Sequence, residues 1–154
     1  ARKMLELKVP PLGVCALFAV AIVGLALAFP GANAAFPGHR AVAVAAVMLG
    51  VGVGGAGVIQ FLRAKTTLTP LTPARASSIV ASGIFGFSRN PMYLGMAVGL
   101  FGLAAWWSTL PGYALLPLFC AYLTAFQIKP EERAMQARFG DEFLAYTARV
   151  RRWI

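Results

Sequence analysis

Carboxylates are scarce in this 154-residue chain: five in all, Glu6, Glu131, Glu132, Asp141 and Glu142, against 14 lysines and arginines. Charged residues of both signs make up only 12%, about half the share of a soluble domain. Histidine occurs once, as His39, which excludes a His-based metal site, and no Cys/His/carboxylate cluster replaces it. The two cysteines, Cys15 and Cys120, both lie inside apolar runs. They read as small buried hydrophobes, not as a disulfide or metal pair. What the chain has in quantity is apolar surface: 59% hydrophobic residues and a mean hydropathy of +0.72. One domain of this length with that composition is expected to sit in lipid.

A bilayer-crossing helix needs about 20 apolar residues. Four stretches qualify or nearly do, predicting an all-α membrane bundle with spans at about 11–29, 41–62, 92–107 and 112–128. Pro10 and Pro11 open the first, in keeping with proline's place in a first helical turn. Basic residues precede it, as in a signal peptide, but Glu6 interrupts them and the apolar run is long for a leader, so it reads as a span. The second is rich in glycine. Gly52-Val53-Gly54-Gly55-Ala56-Gly57 superficially resembles a dinucleotide loop but lacks the strand–loop–helix context. Gly50 and Gly54 have the small-xxx-small spacing of close helix packing in lipid. The third span is short, and Ser108-Thr109-Leu110-Pro111 joins it to the fourth so tightly that the two must be antiparallel neighbours. Trp106, Trp107 and Tyr113 gather at that tip, as aromatics do at a membrane interface. Residues 63–91 are polar and proline-interrupted, and 129–154 form a tail. In the tail Glu131, Met135, Phe139, Phe143 and Tyr146 share one helical face, reading as an amphipathic surface helix that Pro130 starts. Arg138 and Glu142 are spaced as an ion pair on another face.

The basic residues place the net charge of +9. All but Arg40, expected in the loop before span two, precede the first span or follow the second and fourth. That pattern predicts both termini in the cytoplasm and explains the charge without nucleic acid, through anionic lipid headgroups. Every carboxylate falls on the same side, so a site is expected at the cytoplasmic membrane surface. Two patterns stand out there. Gly83-Ile84-Phe85-Gly86-Phe87-Ser88-Arg89-Asn90-Pro91-Met92-Tyr93-Leu94-Gly95 puts Arg, Asn and Tyr at a helix start, where they are also ordinary anchoring and interfacial residues. Pro130-Glu131-Glu132 reads as an acidic helix start, yet Glu131 begins the apolar stripe, and an ionisable group at membrane depth is a functional candidate.

From about Thr66 to Ile154 the chain resembles the isoprenylcysteine carboxyl methyltransferase and phospholipid methyltransferase superfamily, especially its short bacterial members. The resemblance rests on Thr66-Thr67-Leu68-Thr69-Pro70, the Gly83-to-Gly95 block with its Arg89-to-Gly95 core, Pro130-Glu131-Glu132, Phe139-Gly140 and Val150-Arg151-Arg152-Trp153. It implies a bacterial inner-membrane enzyme that binds S-adenosylmethionine, needs no metal, and methylates a membrane lipid or lipophilic small molecule. The family's cofactor stretch maps onto Ser77, Ser78, Ile79, Val80, Phe85, Asn90, Pro91, Met92 and Tyr93, with Glu131 also on the cofactor. The implied catalytic set is Arg89, Glu131 and Glu132. Arg89 either neutralises the cofactor's carboxylate or positions a glutamate, and Glu132 is a possible base. Asn90 stands where the family usually has His, Phe85 where Tyr is common, and Gln127, on the substrate side, where prenylcysteine enzymes carry Arg. An uncharged Gln127 argues against a prenylcysteine acid as acceptor. Rival readings are a membrane reductase of the sterol-reductase type using a nicotinamide cofactor, and a non-catalytic membrane module or small transporter. Only Gln60, Thr124 and Gln127 offer polar groups in or near the spans, which is thin for a transport path.

Overall fold

The computed structural model describes residues 6–64 and 78–154. Ser77 and most of the polar segment before it lie outside them. Among the described residues every regular element longer than a turn is helical: α1 (Pro11–Ala28), α2 (His39–Arg63), α3 (Pro91–Trp107), α4 (Leu110–Leu123), a π-helical segment (Thr124–Ile128), α5 (Lys129–Phe139) and α6 (Asp141–Arg149). Short 3₁₀ turns fill Pro30–Ala32 and Gly83–Gly86. Three helical stretches among the described residues are long and apolar enough to cross a membrane: α1, α2 and the continuous run Leu110–Phe139. Helix α3, 17 residues, is apolar but shorter, reaching about 25 Å. Large side chains such as Leu12, Leu17, Val20, Met48 and Val51 stand exposed on the outside, the expected outer face of a bundle solvated by lipid rather than water.

In lipid the helices gain little from hiding apolar surface from one another, so association depends on close packing. The sequence supplies this between α2 and α3. A methyl group added at Gly50 would lie 2.6 Å from the Gly95 carbonyl oxygen, and one at Gly102 would lie 2.8 Å from that of Ala43. The backbones therefore touch along the Gly50/Gly54 face anticipated from spacing. Helix α1 lies across α3 and α4, and Val14, Ile22, Tyr93, Leu100, Ala104, Phe119 and Leu123 fill the centre. Arg40 is not in a loop: α2 begins at His39, and the Arg40 guanidinium lies 5.3 Å from the Trp106 ring centre.

The tail departs from expectation twice. Pro130 does not start a helix, because the fourth span runs through it into α5. Proline has no N–H and its ring collides with the carbonyl four residues back. Here the π-helical segment widens the turn, and the Lys129 N–H reaches Thr124 O. The freed Phe126 carbonyl accepts the Leu7 N–H at 3.1 Å, so the N-terminal segment satisfies what the proline leaves open. Leu110–Phe139 is 30 residues, or about 45 Å at 1.5 Å per residue. Against a hydrocarbon core of about 30 Å, the charged end from Lys129 onward stands outside it. The second departure is a break at Gly140, whose φ of 52° and ψ of −123° end α5. The predicted stripe is split, and the two halves fold onto each other: Phe143, Tyr146 and Val150 pack with Met135, Phe139 and Ile79.

Candidate functional site

The polar end of the bundle is assembled from three stretches distant in sequence. Residues 78–93 run into α3, Glu131 and Glu132 open α5, and the chain returns after α6 in extended form. Pro91 occupies the first position of α3, and Asn90 precedes it with no side-chain cap to the helix. The Asn90 side chain instead donates from Nδ2 to Arg152 O at 2.8 Å. The Arg89 N–H donates to Arg151 O at 3.1 Å, so the C-terminal strand-like segment is stitched to the start of α3. Trp153 Nε1 donates to Thr124 Oγ1 at 3.2 Å, and Tyr146 donates its hydroxyl to Phe85 O at 2.8 Å. Burial pushes the Tyr146 phenol up to about 12, with the nearby Arg89 opposing the shift.

The two glutamates have different surroundings. Glu132 is held by arginines: Arg89 Nη1 lies 3.2 Å from Oε1, and Arg152 donates from Nε and Nη2 at 2.9 and 2.7 Å in a two-pronged pair. That hydrogen bonding, more than the partial burial that opposes it, raises the Arg152 pKa. Glu131 has no cationic partner among the described residues; Tyr93 donates its hydroxyl to Oε1 at 2.6 Å. Burial, with the Glu132 charge adding to it and the Tyr93 hydrogen bond opposing, pushes the Glu131 carboxyl up to about 8. One carboxylate is thus anchored by cations while its neighbour, buried against a phenol, favours its neutral form.

Arg89, Asn90, Tyr93, Glu131 and Glu132 are therefore brought together. Phe85 is buried, its ring edge-on to Phe61 at 4.9 Å, and its carbonyl accepts from Tyr146. Val80 is buried and Ser78 exposed, while Ile79 packs into the α6 cluster. Pro91 and Met92 face Gly57 of α2. Gln127 is 1% exposed and donates from Nε2 to Val9 O. Its Oε1 is buried without a hydrogen-bond partner among the described residues, and so is Arg89 Nε. Arg152 was missed in the sequence. Arg151-Arg152 looks like part of a basic surface, and nothing in its spacing points 20 residues back to Glu132.

These features define a class, an integral membrane bundle of helices with a carboxylate–arginine–tyrosine site at its polar mouth. The phospholipid methyltransferase family model matches residues 39–142, from α2 through the site to the start of α6, and the chain belongs to that family. An uncharacterized protein of Haemophilus influenzae is 32% identical over 63 residues, which cover 41% of this chain and all of that one. No solved structure matches the chain. Among the described residues no group of three or more His, Cys, Asp or Glu is placed to hold a metal ion.

Proposed function

We propose that this protein transfers a methyl group from S-adenosylmethionine to a lipophilic acceptor, a lipid amine, thiol or similar, at the cytoplasmic membrane surface. The observation that carries the reading is the Tyr93–Glu131 contact at 2.6 Å, which joins the helix-start block to the glutamate pair. The local chemistry suits the cofactor. Arg89 Nε is buried and has no partner among the described residues, a donor for a carboxylate, and Glu131 is a buried acid whose charged form a neighbouring cation would stabilise. When bound, S-adenosylmethionine supplies a methyl group already activated on a sulfonium sulfur. The chain's residues then have to orient the partners and exclude water. Glu131 holds the cofactor's positive groups, and Arg89 with Asn90 and Tyr93 frames its amino-acid end. Ser77, Ser78, Ile79, Val80, Phe85, Pro91 and Met92 are assigned to the same pocket from the family pattern. Glu132, bound by two arginines, serves to fix Arg89 rather than to take a proton. Gln127, uncharged, is assigned to the acceptor side from the family pattern alone.

The test is calorimetric binding of S-adenosylhomocysteine to the purified protein in a detergent that preserves the fold. Binding is expected, weakened at least tenfold by Glu131→Gln and little changed by Glu142→Gln, since Glu142 is exposed on α6. No binding by a folded protein would refute the methyltransferase reading. Equal effects of the two substitutions would refute the role of Glu131.

A further inference from the structure

The end of the bundle opposite Glu131 carries a feature the proposed reaction does not use. A groove of about 220 Å³ runs between α2 and α3, lined by Val44, Val47, Met48, Gly102, Leu103 and Trp106. Its form follows from packing. Gly102 contributes no side chain because the α2 backbone is already in contact there, with Ala43 O 2.8 Å from where a methyl would be. The larger side chains of both helices therefore stand up on either side. Val44, Met48 and Trp106 are 53%, 68% and 43% exposed. The lining is apolar, and it faces outward from a membrane bundle, where acyl chains are the surrounding solvent.

At the groove's mouth is a charge. Arg40, exposed in the first turn of α2, holds its guanidinium 5.3 Å from the centre of the Trp106 ring, so the cation sits over one wall of the groove. Among the described residues it is the only Lys or Arg at this end, and all five carboxylates of the chain are at the other, Glu6 through its ion pair with Arg133. The mouth therefore offers a cation with no acid nearby to pair with the ammonium of a zwitterionic headgroup. We infer that this groove binds one phospholipid of net negative headgroup, its acyl chain along Val44, Val47 and Gly102 and its phosphate at Arg40. The site is independent of the methyl-transfer reading.

The experiment uses the full chain with Trp106 as the single tryptophan (Trp107→Phe, Trp153→Phe), in micelles doped with phospholipids brominated on the acyl chain. Quenching of Trp106 reports occupancy of this groove and is blind to the basic opposite end. Brominated phosphatidylglycerol should quench at roughly fivefold lower concentration than brominated phosphatidylcholine, the factor expected for one basic side chain at an anionic headgroup. The preference should fade with salt, vanish in Arg40→Gln and persist in Arg40→Lys. Val44→Phe, which narrows the groove, should raise the concentration needed for both lipids. Equal quenching by the two lipids at low salt would overturn the assignment, and so would a preference that survives Arg40→Gln. A Trp106 unquenched by either lipid would place a second copy of the chain on this face and also overturn it.

Discussion

Gly95 is the position where a single methyl group tests the packing and the site together. An ideal Cβ there would lie 2.5 Å from Gly50 O, 2.8 Å from Gly54 N and 2.9 Å from Gly54 Cα. All three are backbone atoms, which cannot rotate away as a side chain end can. Ordinary contact with carbon begins near 3.5 Å, so Gly95→Ala requires α2 and α3 to separate by about 1 Å. Overpacking of this kind costs about 1–3 kcal/mol. Gly99, one turn further along α3, has nothing among the described residues within 4 Å of its Cβ position. Gly99→Ala therefore adds a methyl to open space while gaining the better helix former, worth up to about 1 kcal/mol in aqueous peptides. The two substitutions have the same chemistry and opposite expected signs. Gly95 also sits two residues after Tyr93, whose hydroxyl reaches Glu131, so displacing the start of α3 lengthens that contact. Thermal unfolding in detergent should show Gly95→Ala clearly less stable than Gly99→Ala, with S-adenosylhomocysteine binding weakened in the first and retained in the second. If the two unfold at the same temperature and bind alike, the close approach of α2 and α3 is not what holds this site.

The raised pKa of Glu131 gives a pH signature. Its carboxyl goes from an ordinary 4.5 to about 8, so the stability it contributes is fully present below about 4.5 and is lost as pH rises through about 8. Glu131→Gln, always neutral, should match the unsubstituted protein at pH 4.5 and exceed it in melting temperature at pH 9 without ligand; parallel melting curves across that range would refute the burial of this acid. For the acceptor, a methyl-transfer panel of a farnesylated cysteine, an aminolipid and a hydrophobic thiol should place the cysteine acid last, because Gln127 cannot form the two-pronged ion pair that arginine offers a carboxylate. A farnesylated cysteine that is the best acceptor, and is not improved by Gln127→Arg, would refute that argument. Reporter fusions at both termini should report the cytoplasm; labelling of the tail from outside would reverse the orientation and move the site with it.

The helical spans were legible because lipid imposes a simple rule: a segment without charge for about 20 residues satisfies its own backbone as a helix. The run Pro11–Ala28 and the glycine face of α2 could be read from composition and spacing alone. So could the candidate pair of motifs, Arg89 to Gly95 and Glu131-Glu132. Their joining could not. Tyr93 meets Glu131 across 38 residues and Arg152 meets Glu132 across 20, and no local periodicity encodes either contact. The tail shows the limit most clearly. Its stripe of apolar residues at helical spacing is real, but periodicity does not register where the backbone turns. Gly140 bends the stripe onto itself. Pro130, an apparent helix start, is instead accommodated inside a longer helix, because a π-helical turn precedes it and the distant Leu7 N–H satisfies the Phe126 carbonyl it frees. Gln127 was identifiable as the uncharged residue before the glutamates. That Gln127, inside the π-helical segment, meets Val9 while Glu131 meets Tyr93 was decided by tertiary packing, since both partners come from distant parts of the chain.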